Sequence, residues 1–136
     1  MTSKEQAVQK AADLLFSAAN LGKPCQPVRD FLQEGDVDAA YAVQEINTRR
    51  WLDDGRRLVG RKIGLTSKAV QAQLGVNQPD YGMLYADMDV AEGEEIDVSR
   101  VLQPKVEAEI AFVIGDDLDE LQLTTADILS NIDYAV

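Results

Sequence analysis

The spacing of apolar residues changes near residue 57, and this change limits the folds open to the chain more than any other feature. Residues 4–21 carry apolar side chains at helical intervals, and residues 37–52 form a second segment of this kind. Beyond them the apolar stretches are short and are separated by turn residues, which is typical of strands. We therefore expect an α+β fold in which a helical N-terminal region, residues 1–56, precedes a mainly β region, residues 57–136.

Cap and turn residues predict where the elements begin and end. Gly22 stops the first helix, Asp36 is suited to N-cap the second, and Ser67 is suited to cap a short helix, "SKAVQAQLG", that follows the strand "RLVGRKIGLTS". The later segments are predicted in this order: "MLYADMDV" as a strand, "AEGEEIDVSRVL" as an acidic turn and strand, "VEAEIAFVIG" as a strand, "LTTADILSNI" as a helix, and "NIDYAV" as the entry to another strand.

Composition excludes several classes of site and partner. The net charge of −11 disfavours nucleic acid and anionic membranes as partners, since both attract a basic surface. An anionic substrate would need a local positive charge, which a lysine or a metal ion can supply. Because the sequence has no histidine, Ser-His-Asp triads and HExxH zinc sites are excluded within this chain. Cys25 is the only cysteine, so an intrachain disulfide and a cysteine-based zinc site are excluded as well.

The expected location is the cytoplasm. The N-terminal segment lacks the basic region and uninterrupted apolar core of a signal peptide. No stretch approaches the ~20 apolar residues of a membrane span. A single free cysteine fits a reducing compartment.

Two glutamates interrupt the apolar alternation of the segment "PKVEAEIAFVIG". In an extended chain Glu107 and Glu109 lie on the same face, about 7 Å apart. Three explanations are open: a solvated sheet face, a general acid/base pair with separated pKa values, or ligands for a hard cation such as Mg²⁺ or Mn²⁺. Like charges at this distance destabilise a strand, and a bound cation removes that repulsion.

Lys62 and Asp80 also admit both a structural and a functional explanation. Lys62 lies on a strand flanked by glycines, where a ligand can approach the backbone closely, but a snorkelling surface lysine would look the same. Asp80 lies in the turn "QPDYG", where an aspartate commonly caps its own backbone.

The segments "GRKIGLTS", "QLGVNQPDYGMLYADM" and "VLQPKVEAEIAFVIGDDL", in this order and spacing, closely resemble the 2-keto-4-pentenoate hydratases. These enzymes belong to the hydratase/decarboxylase branch of the fumarylacetoacetate hydrolase superfamily. The resemblance runs from about Asp36 to the end and corresponds to the N-terminal half of a longer protein. It implies a β-rich, fumarylacetoacetate-hydrolase-like region that is incomplete at the C-terminus, in a protein that forms homo-oligomers.

The resemblance also implies residue roles. Glu107 and Glu109 match the first two of three acidic ligands for a divalent cation, Mg²⁺ or Mn²⁺, and the third ligand is expected beyond Val136. Lys62 matches an active-site lysine, and Asp80 matches a pocket aspartate that handles a proton. The implied substrate is a small anionic 2-hydroxydienoate or 2-oxo acid. The implied reaction adds water to 2-hydroxypenta-2,4-dienoate to give 4-hydroxy-2-oxopentanoate in aromatic meta-cleavage catabolism.

Two alternatives stay open. One is the sister activity of the same branch, 4-oxalocrotonate decarboxylase. The other is a non-catalytic fragment or acidic interaction domain, which the net charge of −11 favours. The resemblance implies that the C–C hydrolases of the superfamily use a Glu-His catalytic pair. They are disfavoured here because this chain has no histidine.

Overall fold

The computed structural model describes residues 2–136 and divides the chain into two compact units, Met1–Leu102 and Gln103–Val136. Within the described residues two long helices come first, and two small antiparallel sheets with two short helices follow, which is a mixed helix-and-sheet composition. Among the described residues, none of the helices combines the length and the apolar character that crossing a bilayer requires.

Helix α1, Ser3–Leu21, is closed at both ends by its own sequence. Thr2 and Glu5 form a capping box, in which each side chain accepts a hydrogen bond from the backbone N–H of the other. At the other end Gly22 adopts a left-handed conformation with φ of 61°, which ends the helix where the sequence predicted.

Helix α2, Val37–Asp53, begins at the predicted N-cap. The carboxylate of Asp36 accepts a hydrogen bond of 3.0 Å from the N–H of Ala39. The buried Asn47 side chain donates to the carbonyl of Ala12 on α1 at 3.1 Å, so a polar group inside the interface has its partner. The two helices enclose the apolar core of this unit, which consists of Val8, Ala11, Ala12, Ala39 and Val43.

A β-hairpin follows the helices. Strand β1, Leu58–Gly64, pairs antiparallel with β2, Asp80–Tyr85, and the short helix α3, Lys68–Leu74, lies in the connection between them. The strand predicted in "RLVGRKIGLTS" and the helix predicted in "SKAVQAQLG" are thereby confirmed, and α3 ends at Gly75 with φ of 70° as expected. The second strand differs from the predicted "MLYADMDV": β2 begins at Asp80, which was expected in a turn, and residues 86–88 form 3-10 helix.

An aromatic cluster packs the C-terminal end of β2 against α2. Tyr85 is only 2% exposed, and its ring meets the Trp51 ring of α2 edge-on at 5.6 Å. The Arg56 guanidinium lies 4.1 Å from the Tyr85 ring and donates two hydrogen bonds to Asp87, of 3.0 and 2.8 Å. The hairpin is therefore held against α2 at this end by contacts that are both apolar and ionic.

The strand predicted within "AEGEEIDVSRVL" is wrong. This segment contains a turn of 3-10 helix, Val98–Arg100, and no strand. The carboxylate of Asp97 accepts a hydrogen bond of 2.8 Å from the N–H of Ser99, a local bond that competes with extended structure.

The second unit contains strand β3, Phe112–Ile114, helix α4, Thr125–Ser130, and strand β4, Ile132–Ala135. β3 and β4 pair antiparallel, and the predicted helix and final strand are confirmed. The long strand predicted for "VEAEIAFVIG" is wrong in extent, because only its last residues form a strand. Ala111 and Val136 exchange the last hydrogen bonds of the ladder, of 3.0 and 2.9 Å, so within residues 2–136 no strand faces residues 104–110.

Candidate functional site

The hairpin brings Lys62 and Asp80 onto the same face. Lys62 lies opposite Gly82, and Gly64 lies opposite Asp80. Directly opposed residues share a face of an antiparallel pair, and so do residues two apart on one strand. Lys62 and Asp80 are therefore diagonal neighbours, roughly 7–8 Å apart at their Cα atoms, within reach of a long side chain.

Two glycines leave the space that these side chains occupy. A Cβ atom added to Gly64 would meet the Asp80 carboxylate well inside the 3.0 Å that real Cβ atoms essentially never cross. A Cβ atom added to Gly82 would lie 3.1 Å from Cγ of Lys62. Glycine at both positions lets the two side chains lie flat against the opposite strand.

A groove of about 650 Å³ borders Asp80. The start of α2 forms one wall, and the loop before β2 forms the other. Its side chains are mainly apolar with a few amides and a carboxylate, a composition that suits a small organic ligand. The lining of the groove includes Tyr41, Gln44, Leu65, Asp80 and Tyr81.

At the end of α2 nearest this groove, the Asp36 carboxyl is held in its charged form. The Lys4 ammonium lies 2.7 Å from it, and this hydrogen-bonded ion pair, together with the N–H of Ala39, lowers the pKa of Asp36 below 3.8. The pKa of Lys4 is raised above 10.5 for the same reason. This pair stabilises the cap of α2.

Two side chains of α2 bind the start of β2. The hydroxyl of Tyr41 accepts a hydrogen bond of 3.1 Å from the N–H of Tyr81, and the amide of Gln44 donates one of 2.9 Å to the carbonyl of Tyr81. The sequence alone predicts no chemistry for this helix. The only available signal was a pair of polar residues three apart, which are neighbours on a helix surface.

The loop that leaves β1 is strained. Leu65 has a φ of 55°, a left-handed conformation that costs a non-glycine residue about 1–3 kcal/mol. The buried amide of Gln71 donates to the Leu65 carbonyl at 2.5 Å, and Lys68 in turn donates to Gln71 at 3.1 Å. α3 therefore holds the strained residue that follows Gly64.

Glu107 and Glu109 lie in the second unit. Both are exposed, and both lie in the stretch without regular secondary structure that precedes β3. The expectation that they share one face of a strand is therefore not met within the residues described, because that segment has no paired strand beside it.

The donor chemistry of these two glutamates fits a hard divalent cation, which prefers carboxylate oxygens. Within residues 2–136, however, no group of three or more Asp, Glu, Cys or His side chains comes together in a way that could hold a metal ion. The two glutamates can thus contribute ligands but do not form a closed site among the described residues.

Comparison with known proteins gives a consistent result. The chain is 64% identical, over 135 residues, to the TodF product hydratase of Pseudomonas putida, covering 99% of this chain and 50% of that protein. It is 57% identical over 136 residues to 2-keto-4-pentenoate hydratase 2 of Dechloromonas aromatica, covering 100% of this chain and 52% of that protein. The chain therefore spans about half the length of the curated relatives it matches. No protein-family model matches it.

Among solved structures, the chain is similar to 4-oxalocrotonate decarboxylase from Pseudomonas putida G7, complexed with magnesium and adipate. The TM-score is 0.83 at 33% identity, and the match covers 99% of this chain and 51% of the other. The likeness therefore extends over both compact units.

Proposed function

Because the chain matches the N-terminal half of the 2-keto-4-pentenoate hydratases over nearly its whole length, we propose that it is part of an enzyme of this activity. The enzyme adds water to 2-hydroxypenta-2,4-dienoate and forms 4-hydroxy-2-oxopentanoate, a step of aromatic meta-cleavage catabolism. The observation that carries the proposal is the 64% identity to a hydratase over 135 residues.

Glu107 and Glu109 would hold a divalent cation, Mg²⁺ or Mn²⁺, through their carboxylate oxygens. The magnesium complex of the similar decarboxylase supports a divalent metal in this group of proteins. The metal, when bound, supplies positive charge that stabilises the enolate form of the substrate. The two glutamates would position the cation, and a carboxamide in place of either carboxylate would bind it more weakly.

Lys62 and Asp80 would act on the substrate from the polar face of the hairpin. The Lys62 ammonium supplies a second positive charge beside the anionic substrate, which a chain with a net charge of −11 needs locally. The Asp80 carboxylate relays protons while water adds its hydroxyl to C4 and its proton to C5 of the distal double bond, and while the proton of the 2-hydroxyl passes to C3 to form the 2-oxo group. Their common face and the two glycines opposite them support this joint role.

The wider organisation follows from the same relationship. Residues 57–136 would be the first part of a mainly β, fumarylacetoacetate-hydrolase-like catalytic domain, and residues 1–56 its helical N-terminal region. We place the enzyme in the cytoplasm as a homo-oligomer that acts on a small anionic 2-hydroxydienoate or 2-oxo acid.

A second candidate is 4-oxalocrotonate decarboxylase activity. It is favoured by the TM-score of 0.83 to a decarboxylase of that name, but the identity there is 33%, against 64% to the hydratase. A non-catalytic acidic interaction domain is the third reading, and the exposed position of both glutamates is the observation in its favour.

The test uses the complete natural protein with 2-hydroxypenta-2,4-dienoate and 4-oxalocrotonate side by side, with and without Mg²⁺ or Mn²⁺. We expect metal-dependent hydration of the dienoate. Glu107→Gln should lower turnover at least about 100-fold, since it removes a metal ligand rather than a supporting contact. The control is Glu95→Gln, at an exposed glutamate in a loop of the first unit, and it should leave turnover unchanged.

Each contrary result has its own meaning. Turnover of the dienoate that survives Glu107→Gln would remove the metal role of Glu107. Decarboxylation without hydration would favour the second candidate, and activity on neither compound would favour the interaction domain.

A further inference from the structure

The outer edge of β2 is occupied by side chains rather than by a strand. In an antiparallel pair, successive residues direct their backbone N–H and C=O alternately toward the partner strand and away from it. Tyr81, opposite Ile63 on β1, directs both groups toward α2. Tyr41 accepts from the N–H, and Gln44 donates to the carbonyl. Together the two side chains make the pair of bonds that one residue of a neighbouring strand would make.

The helix that carries these side chains is itself well anchored. Tyr41 and Gln44 are three residues apart, so they are neighbours on one face of α2. Elsewhere on the same helix, Val43 is 4% exposed in the apolar core and Asn47 is bonded to α1. A helix fixed in this way is a rigid support for whatever its outer side chains hold.

The bond from Tyr81 fixes the peptide plane that follows Asp80. The N–H of Tyr81 belongs to the same planar peptide unit as the carbonyl of Asp80, so holding it limits rotation about ψ of Asp80. On the other side, the Asp80 carboxylate lies over Gly64. The direction in which the carboxylate points is therefore set from both sides.

We propose that Tyr41 and Gln44 are positioning residues for Asp80, and this inference rests on the proposed hydratase function. They do not touch the reacting atoms. They hold the start of β2 so that the Asp80 carboxylate keeps the direction needed for proton transfer, and loss of either bond allows the carboxylate to swing within the groove. Small displacements of a catalytic group lower the rate of the chemical step more than they weaken substrate binding.

The variants are Tyr41→Phe and Gln44→Met in the complete natural protein, each of which removes one hydrogen bond and keeps the size of the side chain. We expect each variant to lower kcat roughly 2- to 12-fold, which is the effect that the net free energy of one lost hydrogen bond would have on a rate. KM should change less than about 2-fold. The matched control is Gln73→Met on α3, at an exposed glutamine that is not among the residues lining the groove, and it should change neither constant.

A second measurement separates positioning from a general loss of structure. In an Asp80→Asn background, Tyr41→Phe and Gln44→Met should have no further effect on kcat, because the group that they position is already inactive. If their effects instead multiply with that of Asp80→Asn, the two residues act on stability alone and the proposal is overturned.

The two hydrogen bonds that Tyr41 and Gln44 make to the backbone of Tyr81 are called the clamp here. Amide hydrogen exchange tests the clamp without reference to activity. Tyr41→Phe should raise the exchange rate of the Tyr81 N–H about 10-fold or more relative to the Gln73→Met control, because its acceptor is gone. Unchanged exchange at Tyr81 would overturn the clamp even in an active hydratase. Faster exchange in a protein that hydrates no dienoate would contradict the proposed function while the clamp itself stands as a structural feature.

Discussion

Glycines decide where the candidate catalytic side chains can lie. A glycine-flanked strand in the sequence indicates a place where a ligand can approach the backbone. In the structure the Asp80 carboxylate occupies the space over Gly64, and the Lys62 side chain lies over Gly82 on the opposite strand. Lys62 and Asp80 themselves were identified through the resemblance to a family, and local spacing did not single them out. The cross-strand pairing that makes them neighbours depends on register, which a single sequence leaves undetermined.

The first prediction concerns Gly64. Gly64→Ala introduces a methyl group where the Asp80 carboxylate lies, so the flexible carboxylate has to move while the strand backbone remains. We expect kcat of the complete enzyme to fall at least about 10-fold with little change in the melting temperature. Gly60→Ala on the same strand is the control, because its nearest neighbour would be Leu84 Cδ1 at an ordinary 3.8 Å. Equal activities of the two variants would show that the position of the Asp80 carboxylate does not matter.

At the scale of elements, the sequence predicted the ends of helices correctly but did not predict which strand segments pair. The ends of α1, α2 and α3 depend on residues within one or two turns, and Gly22, Asp36 and Gly75 lie where the sequence predicted. The segment that contains Glu107 alternates apolar and polar residues like a strand, but a strand needs a partner for its backbone hydrogen bonds. The ladder between β3 and β4 ends at the pair Ala111 and Val136, before it reaches Glu107. The binding of β2 by α2 side chains is also a long-range contact, and the pair of polar residues three apart on α2 does not indicate what it binds.

The cap of α2 leads to a prediction about pH. The pKa of Asp36 is lowered from 3.8, first by the hydrogen-bonded ion pair with Lys4 and then by the N–H of Ala39. A carboxyl whose pKa is lower in the folded state contributes stability that is fully present above 3.8 and is lost as the pH falls through the folded value. Asp36→Asn retains a good cap but not the charge. We therefore expect it to lower the melting temperature at neutral pH, by a difference that shrinks as the pH falls through the lowered pKa of Asp36.

Thermal unfolding of the wild-type protein and Asp36→Asn across this pH range measures the difference. Lys4→Met removes the partner that contributes most to the shift, so in that background the pH dependence of the difference should become smaller. A difference in melting temperature that is constant from neutral to acidic pH would contradict the assignment of a charged cap.

At the scale of the molecule, burial is distributed unevenly between the two compact units. The buried apolar residues, Val8, Ala11, Ala12, Ala18, Ala39, Val43 and Tyr85, all belong to the first unit. No residue of Gln103–Val136 is buried, and Val106 and Leu121 are fully or almost fully exposed. The first unit therefore has the packing of an independent core, whereas the unit that carries the proposed metal ligands has few apolar contacts of its own among the described residues.

This difference predicts how protection from hydrogen exchange is distributed along the chain and how a metal changes it. Amides of α1 and α2 should exchange at least about 100-fold more slowly than those of residues 104–111, which lie outside the helices and strands of the described residues. Mg²⁺ or Mn²⁺ added to the complete protein should slow exchange around Glu107 and Glu109, because binding stabilises the conformation that binds. Glu107→Gln should abolish this slowing, and Glu95→Gln should preserve it. If the metal protects α1 and α2 but leaves residues 104–111 unchanged, then these two glutamates do not hold it and the ligands lie elsewhere.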